Sequence, residues 1–179
     1  MEFSCRFYMG KVFFISDPHF GHENVARGVR HMSSEESDEL IIKNWNKVVT
    51  KHDTVYVLGD FVMERKKIIE SYISRLNGNI VIVGGNHDDK KCCREYARLG
   101  ITVLGCLEYK GFFCTHVPIH PGQLEFCRGN IHGHIHKQRK NGEVLEQLEG
   151  RYYNVNCEFN NYTPVLFDDI VKYFNEIGY

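Results

Sequence analysis

The sequence predicts an α/β fold built on a parallel sheet with crossover helices. Three observations lead there. Short apolar runs rich in β-branched and aromatic residues recur along the chain, as strands buried on both faces require. Segments with helical spacing of apolar residues stand between them. Each of the main runs ends in a polar cluster, which puts those side chains beyond the carboxyl ends of the strands, where open α/β sheets bind ligands.

The elements follow in order. Val12-Phe13-Phe14-Ile15 is the first strand and runs into Ser16-Asp17-Pro18-His19. Ser33 and Glu36 form a capping box ahead of Leu40, Ile41, Trp45 and Val48, which share one helical face. Val55-Tyr56-Val57-Leu58 is the second strand and ends on Gly59-Asp60. Ile68, Ile69, Tyr72, Ile73 and Leu76 repeat the helical spacing before Asn77-Gly78 stops it. Ile80-Val81-Ile82-Val83 is the third strand and leads into Gly84-Gly85-Asn86-His87-Asp88. Asp88 to Leu99 reads as a third helix closed by Gly100. This alternation implies parallel pairing. Beyond it the chain is richer in strands, expected at 102–106, 111–115, 128–132 and 151–157, with Phe112-Phe113-Cys114 ending on Thr115-His116. Gln138 to Gly150 is polar and reads as an exposed turn, and a final helix is expected from Asp168 to near Ile177.

The length of 179 residues fits one domain with a full core. Residues 1–8 read as an N-terminal extension or leader, and 9–179 as a single domain. Hydrophobic residues make up 42% and charged residues 25%, the proportions of a soluble globular chain. A net charge of -1 gives no support to a duplex nucleic-acid partner, which would call for a basic excess. No run is long enough to span a membrane. The seven cysteines lack the paired spacing of a zinc ribbon and read as reduced, mostly core thiols of a cytoplasmic protein. Nothing speaks to oligomeric state.

The ten histidines are the outlier. With the strand-end acids they form a series: Asp17-x-His19, Gly59-Asp60, Gly85-Asn86-His87-Asp88, His116, and Gly133-His134-Ile135-His136. Two carboxylates, one amide oxygen and four imidazoles are too many donors for one tetrahedral site and suit two divalent cations. Two such ions beside only two carboxylates leave a positive site, which attracts phosphate and lowers the pKa of a water.

At these residues the chain resembles the calcineurin-like metallophosphoesterases, whose blocks DxH, GD, GNH(D/E), H and GHxH stand here in the same order. Asn154-Val155 and Thr163-Pro164-Val165 extend the likeness toward the last helix. The resemblance implies a four-layer α/β/β/α sandwich of two mixed sheets flanked by helices. It also implies that Asp17, His19 and His136 hold a first metal, that Asn86, His116 and His134 hold a second, and that Asp60 bridges them. A hydroxide between the metals would be the nucleophile, and His87 the general acid facing the substrate. The ions would be manganese, iron, zinc, cobalt or nickel, manganese first. Gly59, Gly85 and Gly133 would mark sharp turns where a side chain crowds the metals.

The implied activity is phosphate-ester hydrolysis on a small phosphorylated substrate. A phosphodiester, a nucleotide or cyclic phosphate, is favoured because so short a chain leaves the site open. A phosphomonoesterase and a non-catalytic protein-binding scaffold of the same fold are the alternatives; the scaffold is disfavoured because no ligand is missing. Met63 stands where protein Ser/Thr phosphatases carry a second Asp, and Asp88 where they carry Glu, so the chain looks more like the small bacterial or phage-type phosphoesterases. His22, His120 and Arg27 are candidates for the substrate pocket. Arg65 and Arg128 are weighed as phosphate partners against plain solvated arginines. His132 alternates with His134 and His136 and is a candidate for supporting them. His31 and His52 carry no signal.

Overall fold

The computed structural model describes residues 10–63, 67–139 and 141–179. The reading of residues 1–8 as a leader and of Arg65 as a phosphate partner lies outside the described residues. Two sheets form the centre. The first has the order β4-β3-β2-β1-β9, from β1 (Val12–Ile15), β2 (Thr54–Leu58), β3 (Asn79–Val83), β4 (Thr102–Leu104) and β9 (Val165–Leu166). Its pairs are parallel except β1 with β9. The second runs β5-β6-β7-β8, from β5 (Leu107–Tyr109), β6 (Phe112–Cys114), β7 (Gly129–His132) and β8 (Tyr152–Asn154). There β5 and β6 are antiparallel and the other pairs parallel. Among the described residues five α-helices flank the sheets: α1 (Glu23–Gly28), α2 (Ser34–Val48), α3 (Lys67–Ile73), α4 (Lys90–Arg98) and α5 (Phe167–Glu176). The fold is thus the expected α/β arrangement of two mixed sheets with helices about them.

Alternation along the strands builds two cores. Phe13, Ile15, Val55, Val57, Ile80 and Ile82 pack with Ile41, Trp45 and Ile69 of the helices on one face of the first sheet. Phe14, Leu58 and Val83 point the other way, against Phe112, Cys114 and Ile131 of the second sheet and Phe167, Ile170 and Phe174 of α5. Strands covered on both faces are what the unbroken apolar runs require. The capping box is present: Ser33 Oγ accepts from Glu36 N at 3.2 Å, and Glu36 Oε2 accepts from Ser33 N at 2.8 Å. Asp89, rather than Asp88, caps α4 through Lys91 N and Cys92 N.

Four elements differ from the sequence reading. The strand expected at 151–157 spans only Tyr152–Asn154, and Asn156 then caps a 3-10 turn at Cys157–Phe159. The chain around His22 and Glu23 enters α1, six residues with too little length to show a period. The strand expected at 102–106 stops at Leu104, and the chain crosses at Gly105-Cys106 into β5 of the other sheet. Strand β9 spans two residues and carries no alternation to read. Six described cysteines are free, but only Cys114 and Cys157 are buried; Cys106 is exposed and the others half-buried, so the expectation of mostly core thiols fails. Among the described residues no helix is long and apolar enough to cross a membrane.

Candidate metal centre

The strand ends converge. The turn after β1 bonds to the turn after β2, with Asp17 N donating to Gly59 O at 3.1 Å and His19 N to Asp60 O at 3.0 Å. Asp17 Oδ2 accepts from Ser16 Oγ at 2.6 Å and from His134 N at 2.9 Å, which joins the second sheet to the first. Asp17, His19, Asp60 and His134 all take left-handed backbone, at φ 55°, 48°, 54° and 66°. Each such non-glycine residue costs about 1–3 kcal/mol and persists only where surrounding bonds enforce it.

These turns aim the seven expected donors at one another. His19 Nε2 lies 3.8 Å from Asp17 Oδ1 and 3.6 Å from Asp60 Oδ2. His136 Nε2 lies 3.8 Å from Asp17 Oδ1, and His116 Nε2 lies 3.4 Å from Asp60 Oδ2. Asn86 Oδ1 and His134 Nδ1 sit 2.9 and 3.2 Å from His116 Nε2. Two triads have ligand atoms close enough to share an ion: Asp17, His19 and His136, and Asp17, Asp60 and His116. Asp17 belongs to both, while Asp60 touches a histidine of each.

The donor set fits a cation on its own terms. Asp17 Oδ1 and both ring nitrogens of His19 are buried without a hydrogen-bond partner. A buried polar atom left so costs about 1–3 kcal/mol, more when charged. A divalent ion satisfies carboxylate oxygen and imidazole nitrogen together. Burial and crowding set the charges of these groups. Burial pushes the Asp17 carboxyl up, against the pull of His116, His136 and the Ser16 hydroxyl. Burial also drives His19 well below the usual imidazole range, helped by the charges of His136 and Arg30, so the ring is neutral and can ligate. Burial works to raise Asp60 and to lower His116, but their contact reverses both, holding the acid down and the base up.

Two imidazoles stand at the open side. His87 is exposed; its ring centroid is 5.4 Å from that of His19, and its backbone N–H donates to Asp60 Oδ1 at 2.8 Å. His22, half-buried before α1, has its ring 5.4 Å from His19 and 6.2 Å from His87.

Other candidates are not drawn in. Arg27 is bound by Glu23 on the exposed face of α1. His120 is exposed and its Nδ1 accepts from Gly122 N, capping a short 3-10 turn. Arg128 bonds Asn175 Oδ1 at 2.8 Å. His132 is buried with Nδ1 on its own neighbour's Gly133 O at 2.8 Å and its ring edge-on to Tyr152; burial holds it at about 4, so it is a neutral core residue.

Three residues that shape the site escaped the sequence reading. Buried Arg30 donates to Asp17 O at 2.7 Å, Pro18 O at 2.9 Å and Ser37 Oγ at 2.9 Å. Buried Glu158 receives His136 Nδ1 at 2.8 Å and Arg30 Nε at 3.1 Å. Asp88 Oδ2 accepts from Asp60 N at 2.7 Å and Gly85 N at 2.9 Å. Asp88 stood in a quoted motif, but nothing marked its role. Arg30 and Glu158 belong to no block, and no spacing sets a buried ion pair apart from surface charges. The glycines act through close approach: a Cβ on Gly133 would lie 1.8 Å from Ser16 Oγ, one on Gly85 2.2 Å from Asp60 Oδ1, and one on Gly59 2.4 Å from His116 Nδ1. Side chains there would strike the clustered donor residues or Ser16 beside them.

Residues 10–176 match the family described as calcineurin-like phosphoesterase. The chain belongs to the calcineurin-like phosphoesterases. Members of this family are in general metal-dependent phosphoesterases, which the Asp and His groups accommodate. An uncharacterized protein of Methanocaldococcus jannaschii, MJ1445, is 36% identical over 170 residues, 92% of this chain and 91% of its own length. The Gene 66 protein of Mycobacterium phage L5 is 35% identical over 85 residues, 45% of this chain and 41% of its own. Among solved structures, a protein of unknown function from Aquifex aeolicus, AQ665, superposes with a TM-score of 0.66 at 27% identity, covering 91% of this chain and 98% of its own. A nuclease from Pseudomonas putida, MPE, shares the fold with a TM-score of 0.50 at 22% identity, over 69% of this chain and 60% of its own.

Proposed function

We propose that this calcineurin-like phosphoesterase hydrolyses a phosphodiester, of the nucleotide or cyclic-phosphate class, with two divalent cations. The observation that carries the reading is the cluster of buried, unpartnered ligand atoms, Asp17 Oδ1 and the His19 ring, beside the exposed His87 and the half-buried His22. Asp17, His19 and His136 would hold one ion, Asn86, His116 and His134 the other, with Asp60 between. When bound, the ions supply the positive charge that draws in the phosphate and acidifies a water. Manganese is the first choice among ions that accept mixed oxygen and imidazole ligands. His87, on the open side, hydrogen-bonds the phosphoryl oxygens as charge develops and delivers a proton from its ring to the leaving oxygen. His22 lines the same side and orients a substituent of the substrate.

A diester is favoured over a monoester because Arg27 and Arg128 are engaged elsewhere, leaving neither guanidinium for a dianionic phosphoryl group. The fold also accommodates phosphodiester cleavage, since the Pseudomonas putida protein that shares it is a nuclease. We place the protein in the cytoplasm, where six described thiols remaining free is the norm. The test is elemental analysis together with a screen of aryl mono- and diesters and cyclic nucleotides, with and without added manganese. Metal-dependent turnover of a diester, abolished by chelation, is the expected result. A preparation carrying metal yet inert toward every phosphate ester, in the manner of a binding scaffold, would overturn the reading.

A further inference from the structure

We infer that Glu158 is a positioning residue for one of the two cation sites. It fixes the His136 ring and, through Arg30, ties that ring to the Asp17-Pro18-His19 turn. The inference rests on the metal reading proposed above and goes beyond the family's motif residues, to which neither Glu158 nor Arg30 belongs.

The argument starts at one oxygen. Glu158 Oε1 takes His136 Nδ1 at 2.8 Å and Arg30 Nε at 3.1 Å, and Oε2 takes Lys137 N at 3.1 Å. A carboxylate accepts, so Nδ1 carries the hydrogen and Nε2 is the ring atom left to meet a cation. That Nε2 faces Asp17 Oδ1 at 3.8 Å. The side chains of Glu158 and Arg30 are 3% and 1% exposed, so water does not compete for these bonds. Arg30 in turn holds the carbonyl oxygens of Asp17 and Pro18 at 2.7 and 2.9 Å. Two chain segments more than a hundred residues apart thereby share one brace, and both supply ligands to the same site.

Among the described residues, no carboxylate stands behind His116 of the other site. His116 Nδ1 meets a backbone acceptor, Leu58 O, at 2.8 Å, and Asn86 and His134 are exposed. Because Arg30 balances the charge of Glu158, the brace contributes geometry more than net charge. Hydrogen-bond partners behind a ligating histidine typically carry about 10–100-fold in metal affinity. The loss on removing Glu158 should therefore fall on one cation and spare the second.

The experiment uses the full chain, stripped with chelator and titrated with manganese by equilibrium dialysis and calorimetry. Glu158→Gln offers one acceptor oxygen where three donors converge. Glu158→Asp keeps the charge for Arg30 but withdraws the carboxylate by one methylene, and serves if the first variant folds poorly. Each is expected to weaken one of two binding steps by about 10–100-fold and to leave the other within about threefold of the parent. Nitrogen-15 spectra of the His136 ring should show the hydrogen on Nδ1 in the parent and a mixed population in Glu158→Gln, a signature general destabilisation would not produce. If the parent binds two ions and the variants bind both as tightly, or lose both steps equally, the role assigned to Glu158 is wrong. If the parent binds none, the metal reading itself falls, and this inference with it.

Discussion

Asp88 offers the sharpest quantitative test of how the centre is held. Its Oδ2 accepts from Asp60 N and Gly85 N at 2.7 and 2.9 Å, and its Oδ1 from Tyr96 Oη at 2.8 Å. The residue is 8% exposed. In Asp88→Asn the amide oxygen can keep the two backbone donors, and the amide nitrogen can donate to a reoriented Tyr96 hydroxyl. What is lost is the charge on two bonds, the difference between about 1.5–3 and about 1 kcal/mol each, or about 2 kcal/mol in all. Asp88→Ala instead leaves the N–H groups of Asp60, Gly85 and, from a weaker bond at 3.4 Å, Phe61, together with one hydroxyl, without an acceptor; at about 1–3 kcal/mol for each of the three stronger bonds this is about 5 kcal/mol together. For a chain of this length 1 kcal/mol moves Tm by about 2–4 °C. The amide variant should then melt about 4–8 °C below the parent and the alanine variant about 10–20 °C below, read by circular dichroism. Equal shifts in the two, or an alanine variant within about 2 °C of the parent, would show that Asp88 does not hold the Asp60 turn.

Three further outcomes are expected. His87→Ala should retain metal by elemental analysis while turnover of a diester falls by about 100-fold or more; loss of metal instead would reassign that side chain. Gly133→Ala should displace Ser16 and Asp17, lowering metal uptake and stability by about 1–3 kcal/mol, because its methyl would meet Ser16 Oγ at 1.8 Å. Burial works to raise the Asp53 carboxyl, but bonds from Thr50 and the Lys11 N–H outweigh it and hold it below its usual 3.8. A depressed acid contributes stability above its unfolded pKa that is lost as pH falls through the folded value. The parent should therefore lose more of its urea midpoint than Asp53→Asn between about pH 5 and about pH 3, and parallel curves would refute it.

Much of this was legible because the chemistry and the strand pattern point to the same edge. Val12–Ile15, Val55–Leu58 and Ile80–Val83 announce themselves by composition, and each hands the chain directly to a turn that carries one of the clustered donors. Period and cap also agree in α2, where Ser33 and Glu36 satisfy each other and Ile41 and Trp45 fill the core. The sequence is silent where structure depends on a distant partner. Strand β9 exists because Phe14 and Val165 pair across the sheet, and two residues carry no period. Arg30 and Glu158 are charged residues in unremarkable surroundings until folding buries them together. His120 and Arg27 misled for the complementary reason: a histidine or arginine near a ligand in sequence has local uses, a cap and an i,i+4 pair, that win without any substrate.

The braces share a logic that explains how four left-handed residues persist in one small region. Each brace engages an atom turned away from the donor cluster. Arg30 takes the backbone oxygens of Asp17 and Pro18, Asp88 the backbone nitrogen of Asp60, Leu58 O the Nδ1 of His116, and Glu158 the Nδ1 of His136. Asp17 spends Oδ2 on Ser16 and His134 and leaves Oδ1 facing His19 and His136. Strain of about 1–3 kcal/mol per left-handed residue is thus held by hydrogen bonds behind the donors rather than by the donor atoms themselves. The donors are then set before any cation arrives, and binding need not reorganise the chain to find them. It follows that substitutions behind the centre should weaken metal binding as surely as substitutions within it, while leaving every ligand in the sequence intact.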